Sequence, residues 1–554
     1  MNNADRYRRD PDFGYDGRTW PGKQIEKAPI WCSVDLRDGN QALEEAMKIP
    51  EKAELFRLLV DMDFKQIEVG YPASSVVEYD FLRYLSEEHL VPDDVIPQVM
   101  IPCRPEYIER TFSAIEGLKK CIVHIYNPVS KLQRDVVFGR SQQEIKQMAT
   151  DTVCGVKSRA ACFDGEIILE YSPESFMEAE PEYVLDVCSA VIETAEPTPD
   201  RPMIINLPST VERTTPNVFA DWVEWIGQKL PRRDSVILSV HPHNDRGTGV
   251  AAAEMGLLAG AQRVEGTLFG NGERAGNLDL VTLACNLYSR GIDPQLDLSD
   301  ITRIVRIYEQ CVGLTVPIRQ PYAGALAFTA FSGAHQDAIG KGIHHMEQSG
   351  DTHWDVPYLP IDPGDIGLER SVLVRINSQS GKGGVAFVME DTFGYRMPRL
   401  LRQEMGDIIK PIAAEKGSLS ADEIMEIFRR SYIEPEGPFV LRNRQITELG
   451  KDTQIRLTFS YNGRVYMAEA LGKGPLEAAE AAVGSVIPMN VRMITFSSHA
   501  LNTGSDSEVV AYVLMRDQDT GLESYGVGLS HSVTGATVKG FFSWLNRRER
   551  IKQA

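Results

Sequence analysis

The 554-residue sequence has no Cys-x-x-Cys pair; its eight cysteines (Cys32, Cys103, Cys121, Cys154, Cys162, Cys188, Cys285 and Cys311) are scattered. That excludes a disulfide framework and a Cys-type zinc site, and it fits reduced thiols in a cytoplasmic protein. Positive charge is not in excess either. Lys+Arg number 58 against 78 Asp+Glu, a formal net charge of −20, so the chain lacks the basic field that holds phosphate backbones and no nucleic acid partner is expected. An anionic substrate must therefore be met by a local arginine or a metal. No stretch approaches the roughly 18 uninterrupted apolar residues of a membrane span. The opening MNNADRYRRDPDFGYDGRTWPGK carries charge, Gly and Pro but no apolar core, so neither membrane insertion nor secretion is expected. What remains is a composition ordinary for a soluble globular protein, 43% hydrophobic and 25% charged, with length for three or four domains at roughly 150 residues each.

Residues 1–27 are polar and punctuated by Pro and Gly, and read as an arm that is disordered or packs on a partner. Eight runs rich in Val, Ile and Phe then recur, at 30–38, 64–72, 96–104, 121–128, 166–174, 203–210, 235–245 and 263–273. Stretches of helical periodicity separate them, several with Pro in the first turn, as in IPEKAELFRLLVDM and TTPNVFADWVEWIGQKL. Eight βα units over roughly 250 residues is the arithmetic of an α/β fold of the (β/α)8 TIM-barrel type. Its parallel strands are expected to read as apolar runs because both faces are buried. A doubly wound open sheet is the runner-up. The barrel is preferred because ionisable residues cluster just after nearly every strand, where a barrel places its active-site loops. The domain boundaries expected are an arm at 1–27, a catalytic barrel at 28–324, helical linker subdomains at 325–433 and an α+β module at 434–554. The last is read as two strand-then-helix units, a weak internal duplication.

The most informative segment is His241-Pro-His243-Asn-Asp at the end of the seventh strand. Residues i and i+2 of a strand share a face, so both imidazoles can converge on one divalent metal. Asp38, after strand one, supplies an oxygen ligand and Asn277, after strand eight, a fourth group; strands one, seven and eight are neighbours in a closed barrel. Arg37 beside Asp38 suits a charge that develops in a transition state, or else forms a structural ion pair. Glu174 and His124 stand at strand ends as acid/base groups or as satisfied polar side chains. Thr210 offers a hydroxyl for a carboxylate, or a helix N-cap. The segment from Gly270 to Asn277 has the wrong spacing for a dinucleotide fingerprint, and Gln379-Ser-Gly381-Lys382 lacks the Walker spacing.

The strings SVDLRDGNQAL, EYSPESF, INLPSTVE, SVHPHNDRGTGVAAAE, GTLFGNGERAGN, GAHQDAIGKG and NSQSGKGG resemble those of the 2-isopropylmalate synthases, in their longer actinobacterial-type branch, among the metal-dependent acyl-CoA condensing and cleaving barrel enzymes. The likeness runs from about residue 28 to the C-terminus. It implies an acyltransferase that condenses acetyl-CoA with 2-oxoisovalerate and hydrolyses the thioester, the first committed step of leucine biosynthesis. It places metal ligands on Asp38, His241 and His243, with Asn277 as a closer or water-mediated partner. The ion is Mg, Mn or Zn. The resemblance sets Arg37 at the oxo-acid oxygens, His124, Ser172 and Thr210 around the oxo acid, and Glu174 with His335 as the acid/base pair. His335 comes from the second subunit of a homodimer, and leucine acts as effector at the C-terminal module.

Three positions depart from the family pattern. Arg370, in Gly367-Leu-Glu-Arg370-Ser371, replaces a tyrosine; Met100 stands where a leucine faces the oxo-acid side chain; and Thr495-Phe-Ser-Ser-His499 replaces an Asp-Tyr-x-Glu-His string. These keep a sister synthase open, one making citramalate, homocitrate or an aryl-substituted malate. A non-catalytic ligand sensor and a lyase running the reverse cleavage are further alternatives. Gly472-Lys-Gly474-Pro-Leu476 and Gly526-Val-Gly528 are read as segments that close around a small amino acid.

Overall fold

The computed structural model describes residues 13–350, 352–369, 376–377, 382–501 and 506–553. Arg370, Ser371 and the Gln379 to Gly381 segment lie outside them. The chain divides into two compact units, one within Met1–Ala327 with Asp365–Leu368, the other within Phe328–Gly364 and Glu369–Ala554.

The first unit is a closed barrel of parallel strands in sequential order: β1 (Ile30–Ser33), β2 (Gln66–Gly70), β3 (Ile96–Pro102), β4 (Lys120–Pro128), β5 (Glu166–Glu174), β6 (Met203–Ser209), β7 (Val236–Pro242) and β8 (Arg263–Gly266). β8 closes on β1 through Ile30 opposite Arg263 and Cys32 opposite Glu265. Between successive strands run α1 (Ile49–Asp61), α2 (Val76–Glu87), α3 (Ile108–Ala114), α4 (Gln142–Ala160), α5 (Pro181–Ala195), α6 (Pro216–Lys229) and α7 (Gly249–Leu258), and after β8 come α8 (Leu280–Tyr288) and α9 (Ile301–Val312). Local signals set the helix starts. Pro lies in the first turn of α1, α5 and α6, and a Ser141/Glu144 capping box opens α4.

Two expectations are corrected here. From Phe13 onward the N-terminal arm lies on α6 of its own chain: Arg18 makes a two-pronged ion pair to Asp221 at 2.7 Å, Trp20 Nε1 donates to the same carboxylate at 2.9 Å, and Phe13 stacks on Trp222. The strands are buried on both faces as expected, but the lumen-facing side mixes apolar with polar and charged residues. The lumen-facing positions, at period two, carry Glu68, Gln98, His124, Glu170, Arg263 and Glu265, all buried.

The second unit begins with α10 (Gly333–Ser349), then the short pairing of β9 (Ile376–Asn377) with β10 (Ser418–Leu419), and α11 (Lys382–Asp391), α12 (Arg399–Lys416) and α13 (Ala421–Phe428). Two antiparallel sheets follow, β11 (Phe439–Leu449), β12 (Asp452–Tyr461) and β13 (Arg464–Gly472), then β14 (Val491–Ala500), β15 (Val509–Asp517) and β16 (Glu523–Ser530), each succeeded by one helix, α14 (Pro475–Gly484) or α15 (Val533–Gln553). The repeat is thus three strands and a helix. The run QIRLTFSYNGRVYMAEALG breaks at Asn462-Gly463, both at positive φ, the turn that joins two antiparallel strands. An apolar core that includes Ile455, Leu457, Phe459, Phe541 and Trp544 closes the module.

Gly526 and Gly528 have a packing reason. A Cβ on Gly528 would stand 2.0 Å from Ala536 O, and one on Gly526 2.1 Å from Gly540 O. These glycines let α15 lie directly on β16. Gly472 likewise meets the backbone of α14, with Ala478 N 2.4 Å from its would-be Cβ.

Candidate active site

The C-terminal ends of the barrel strands surround a cavity of about 180 Å³ lined by Arg37, Asp38, Met100, His124, Ser172, Glu174, Thr210, His241 and His243. After β1 the chain makes a π-helical turn, Asp35–Gly39, in which the amides of Asp38 and Gly39 both donate to Val34 O. This wide turn, rather than the strand itself, aims Arg37 and Asp38 at the mouth. Asp35 anchors it by accepting the Leu268 amide at 3.1 Å.

Asp38, His241 and His243 each offer a ligand atom within 4.8 Å of the others. Asp38 Oδ2 lies 3.4 Å from His241 Nε2 and 4.0 Å from His243 Nε2. Asn277 joins them because the loop after β8 folds back as a bridge on His243; its Oδ1 is 3.3 Å from His241 Nε2. Close approach in that loop requires glycine: a Cβ on Gly276, at φ +98°, would stand 2.0 Å from Gly270 O. Asp38 Oδ2 and His243 Nδ1 are buried and make no hydrogen bond. Orphaned atoms of this kind in a mixed imidazole and carboxylate set fit a divalent cation.

Electrostatics agree with that fit. Burial and the neighbouring His241 push His243 down to about 4, so its ring is neutral and free to ligate. Burial opposes charge on His241, but the carboxylates of Asp38 and Glu265 outweigh it and push that imidazole up to about 10 in the metal-free protein. Burial would raise Asp38, yet the Arg37 guanidinium and His241 hold it well below the usual carboxylate range. Arg37 is the ion-paired group of one sequence alternative and also lines the cavity: its Nε donates to Glu68 at 2.6 Å and its Nη1 to Asp38 at 2.9 Å.

The opposite wall is a hydrogen-bonded row. His124 pairs through Nδ1 with Glu68 at 3.0 Å and through Nε2 with Ser172 Oγ at 2.7 Å, and Asn206 Nδ2 donates to Ser172 Oγ at 3.0 Å. Thr210 caps no helix; its Oγ1 accepts the Ser175 amide at 2.9 Å. Glu174 sits at the end of β5, and burial raises its carboxyl against the pull of Arg37. Met100 is on β3 opposite His124. His335 belongs to the second unit, on α10, where its exposed ring stacks on Tyr358 with centroids 4.1 Å apart.

Sequence reading missed the layer beneath. Arg263 lies among Glu265 (3.0 Å), Glu170 (3.4 Å), Gln98 (2.7 Å) and Gln66 (2.6 Å). Its guanidinium pairs with Glu170 and Glu265, the two carboxylates of the second cluster of ligand-type atoms, which also holds His124. The available signal was polar side chains two residues apart inside otherwise apolar strands, as in Arg263-Val-Glu265.

A closed parallel barrel with a two-histidine, one-carboxylate cluster at its mouth is the architecture of a metal-assisted barrel enzyme. Residues 28–307 match the family described as HMGL-like, 325–390 the alpha-isopropylmalate synthase post-catalytic domain-like family, and 418–548 the LeuA allosteric (dimerisation) domain. The chain is 46% identical to the 2-isopropylmalate synthase of Clostridium acetobutylicum over 98% of its own length and 99% of that protein. It is 47% identical to that of Brucella suis over 96% of each chain, and 46% identical to that of Corynebacterium glutamicum strain ATCC 13032 over 97% of its length and 90% of the relative's. The chain belongs to the 2-isopropylmalate synthase family. Among the described residues no helix is long and apolar enough to cross a membrane.

Proposed function

We propose that the chain condenses acetyl-CoA with 2-oxoisovalerate and hydrolyses the thioester to give 2-isopropylmalate and CoA. The observation that carries the reading is the Asp38, His241 and His243 cluster beside Arg37 at the mouth of a barrel in a chain of this family. The three side chains, with Asn277 beside them, would hold the divalent ion, and Mg, Mn and Zn all suit oxygen and imidazole donors to differing degrees. When bound, the ion supplies Lewis-acid polarisation of the oxo-acid carbonyl.

The chain's own groups do the rest. Ser172, His124 and Thr210 orient the oxo acid, with Met100 against its branched side chain. Glu174, poised by burial to take a proton, removes one from the acetyl methyl group. The carbon so freed forms the new C–C bond at the carbonyl carbon, and the carbonyl oxygen becomes an alkoxide. Arg37, fixed at Nε and Nη1, stabilises that charge where it appears. His335, contributed in this reading by a second copy of the chain, returns a proton to the alkoxide. Water then cleaves the thioester, leaving a carboxylate and the CoA thiol. A positioned base of this kind contributes about 10² to 10⁴-fold.

The reading includes a homodimer and leucine as feedback effector at the C-terminal module; a coupling of about 1 to 3 kcal/mol would suffice. Leucine titration of the full-length enzyme tests the second point: inhibition by leucine and not by aromatic amino acids is expected, and no response to either would leave the module as an assembly domain. For the reaction itself, thiol release from acetyl-CoA should depend on 2-oxoisovalerate and disappear in Asp38→Ala.

A further inference from the structure

Glu265 lies on β8, one strand from His241, and is fully buried. Its two carboxylate oxygens accept four hydrogen bonds. Oε2 takes His241 Nδ1 at 2.8 Å and Asn206 Nδ2 at 3.0 Å; Oε1 takes Gln98 Nε2 at 2.9 Å and Arg263 Nη1 at 3.0 Å. One oxygen thus faces the cation cluster and the oxo-acid wall together, while the other rests on a guanidinium that is always a donor.

We infer that Glu265 is a positioning residue for the metal site: it holds a proton of His241 on Nδ1, so that Nε2 is the nitrogen left facing Asp38 to bind the cation. The same oxygen ties that ring to Asn206, and through it to Ser172 and His124, so the two walls of the cavity share one acceptor. The inference rests on the reading of Asp38, His241 and His243 as ligands.

The hydrogen-bond inventory makes this specific. An isosteric glutamine has one acceptor and one donor end. Arg263 and Gln98 both donate to the Oε1 side, and Gln98 is fixed there because its own Oε1 accepts from Arg263 Nη2 at 2.7 Å. The amide oxygen must therefore take that side, which turns the amide NH2 toward His241 and Asn206. His241 can meet a donor only by presenting a bare Nδ1, and the neutral ring then carries its proton on Nε2, where the cation must bind. A carboxylate behind a metal-ligating histidine is a recurrent device, and its removal typically costs about 10 to 100-fold in metal affinity.

The test titrates the chelator-stripped full-length protein with Mn²⁺, following free Mn²⁺ by electron paramagnetic resonance, with circular dichroism and thermal unfolding as checks of the fold. Glu265→Gln should raise the Mn²⁺ Kd by about 10 to 100-fold. Glu265→Asp, shorter but an acceptor at both oxygens, should recover part of the loss, whereas Glu170→Gln, which touches Arg263 and His124 but none of the metal ligands, should stay within about twofold of wild type. A folded Glu265→Gln with wild-type Kd overturns the inference, as does a glutamine variant that binds better than the aspartate one, the order expected of mere space filling. Should Glu265→Gln not fold, Glu265→Asp against wild type decides: a weakened Kd supports the inference and an unchanged one overturns it. Wild-type protein that binds no Mn²⁺ would refute the ligand reading itself, a result distinct from a wild type that binds alongside an unaffected variant.

Discussion

The barrel lumen and the C-terminal module fill their interiors in opposite ways. Beneath the cavity the barrel buries Arg263, Glu68, Glu170, Glu265, Gln98 and His124, a polar and charged layer held by hydrogen bonds among its members. The module buries Leu457, Phe459, Phe541 and Trp544, and its fit depends on shape, down to the glycines that let α15 touch β16. Buried ion pairs are a poor source of net stability, whereas burial of an aromatic side chain is a good one. The barrel's layer is therefore explained by the site above it: it fixes Arg37 through Glu68 and His241 through Glu265.

Removing a metal ligand should separate the two interiors most clearly. Asp38→Ala should lower kcat/KM by at least about 10³-fold, beyond the loss of a single oxyanion donor, and abolish Mn²⁺ binding while thermal unfolding of the module is unchanged; metal-independent turnover by this variant would contradict the division. Next in size, Arg263→Met should cost about 3 to 5 kcal/mol in urea unfolding of the barrel, because it strands buried carboxylates. Leu457→Ala should cost about 2 to 5 kcal/mol of module stability and leave Mn²⁺ affinity untouched. If both variants moved metal affinity equally, the two interiors would not be separate in role. Arg37→Lys keeps the charge but loses the planar fork; steady-state kinetics should show kcat down by about 10²-fold, and a change confined to KM would make Arg37 a binding group only.

The smallest effect is one of pH. In the metal-free protein His241 is raised from its ordinary value to about 10. Its charge therefore stabilises the apo fold fully below about 6.5, the unfolded value, and that contribution is lost as pH rises toward 10. Metal binding must expel the same proton, so Mn²⁺ affinity should climb by up to about tenfold per pH unit across this window, while apo stability declines. Calorimetric titration in buffers of different ionisation enthalpy checks the release of about one proton at pH 8; no release would place the proton elsewhere.

The sequence made the barrel legible because its rhythm of apolar run and helical stretch repeats eight times, with Pro marking several of the helix starts, and it made the metal cluster legible because His-x-His at a strand end is compact. Ser172, Thr210 and Glu174 follow from strand ends together with the family resemblance. The polar layer stayed hidden because its members are scattered one or two to a strand, and only barrel closure brings β2, β3, β4, β5 and β8 to one axis. The module was half legible. Asn462-Gly463 marks a hairpin, but the glycines of β16 resembled a loop, since their reason is the following helix, which packs back on them. Phe13 and Trp20 gave no hint of α6 for the same reason, as their partners lie some 200 positions along the chain.

In this reading the polar interior serves one condensation. The most direct measurement is CoA thiol release by the Mn²⁺-loaded full-length enzyme across a panel of 2-oxo acids. Release should be fastest with 2-oxoisovalerate, with a product of one acetyl unit added per CoA freed. Faster release with pyruvate, 2-oxoglutarate or an aryl 2-oxo acid, or thioester cleavage independent of any oxo acid, would contradict it.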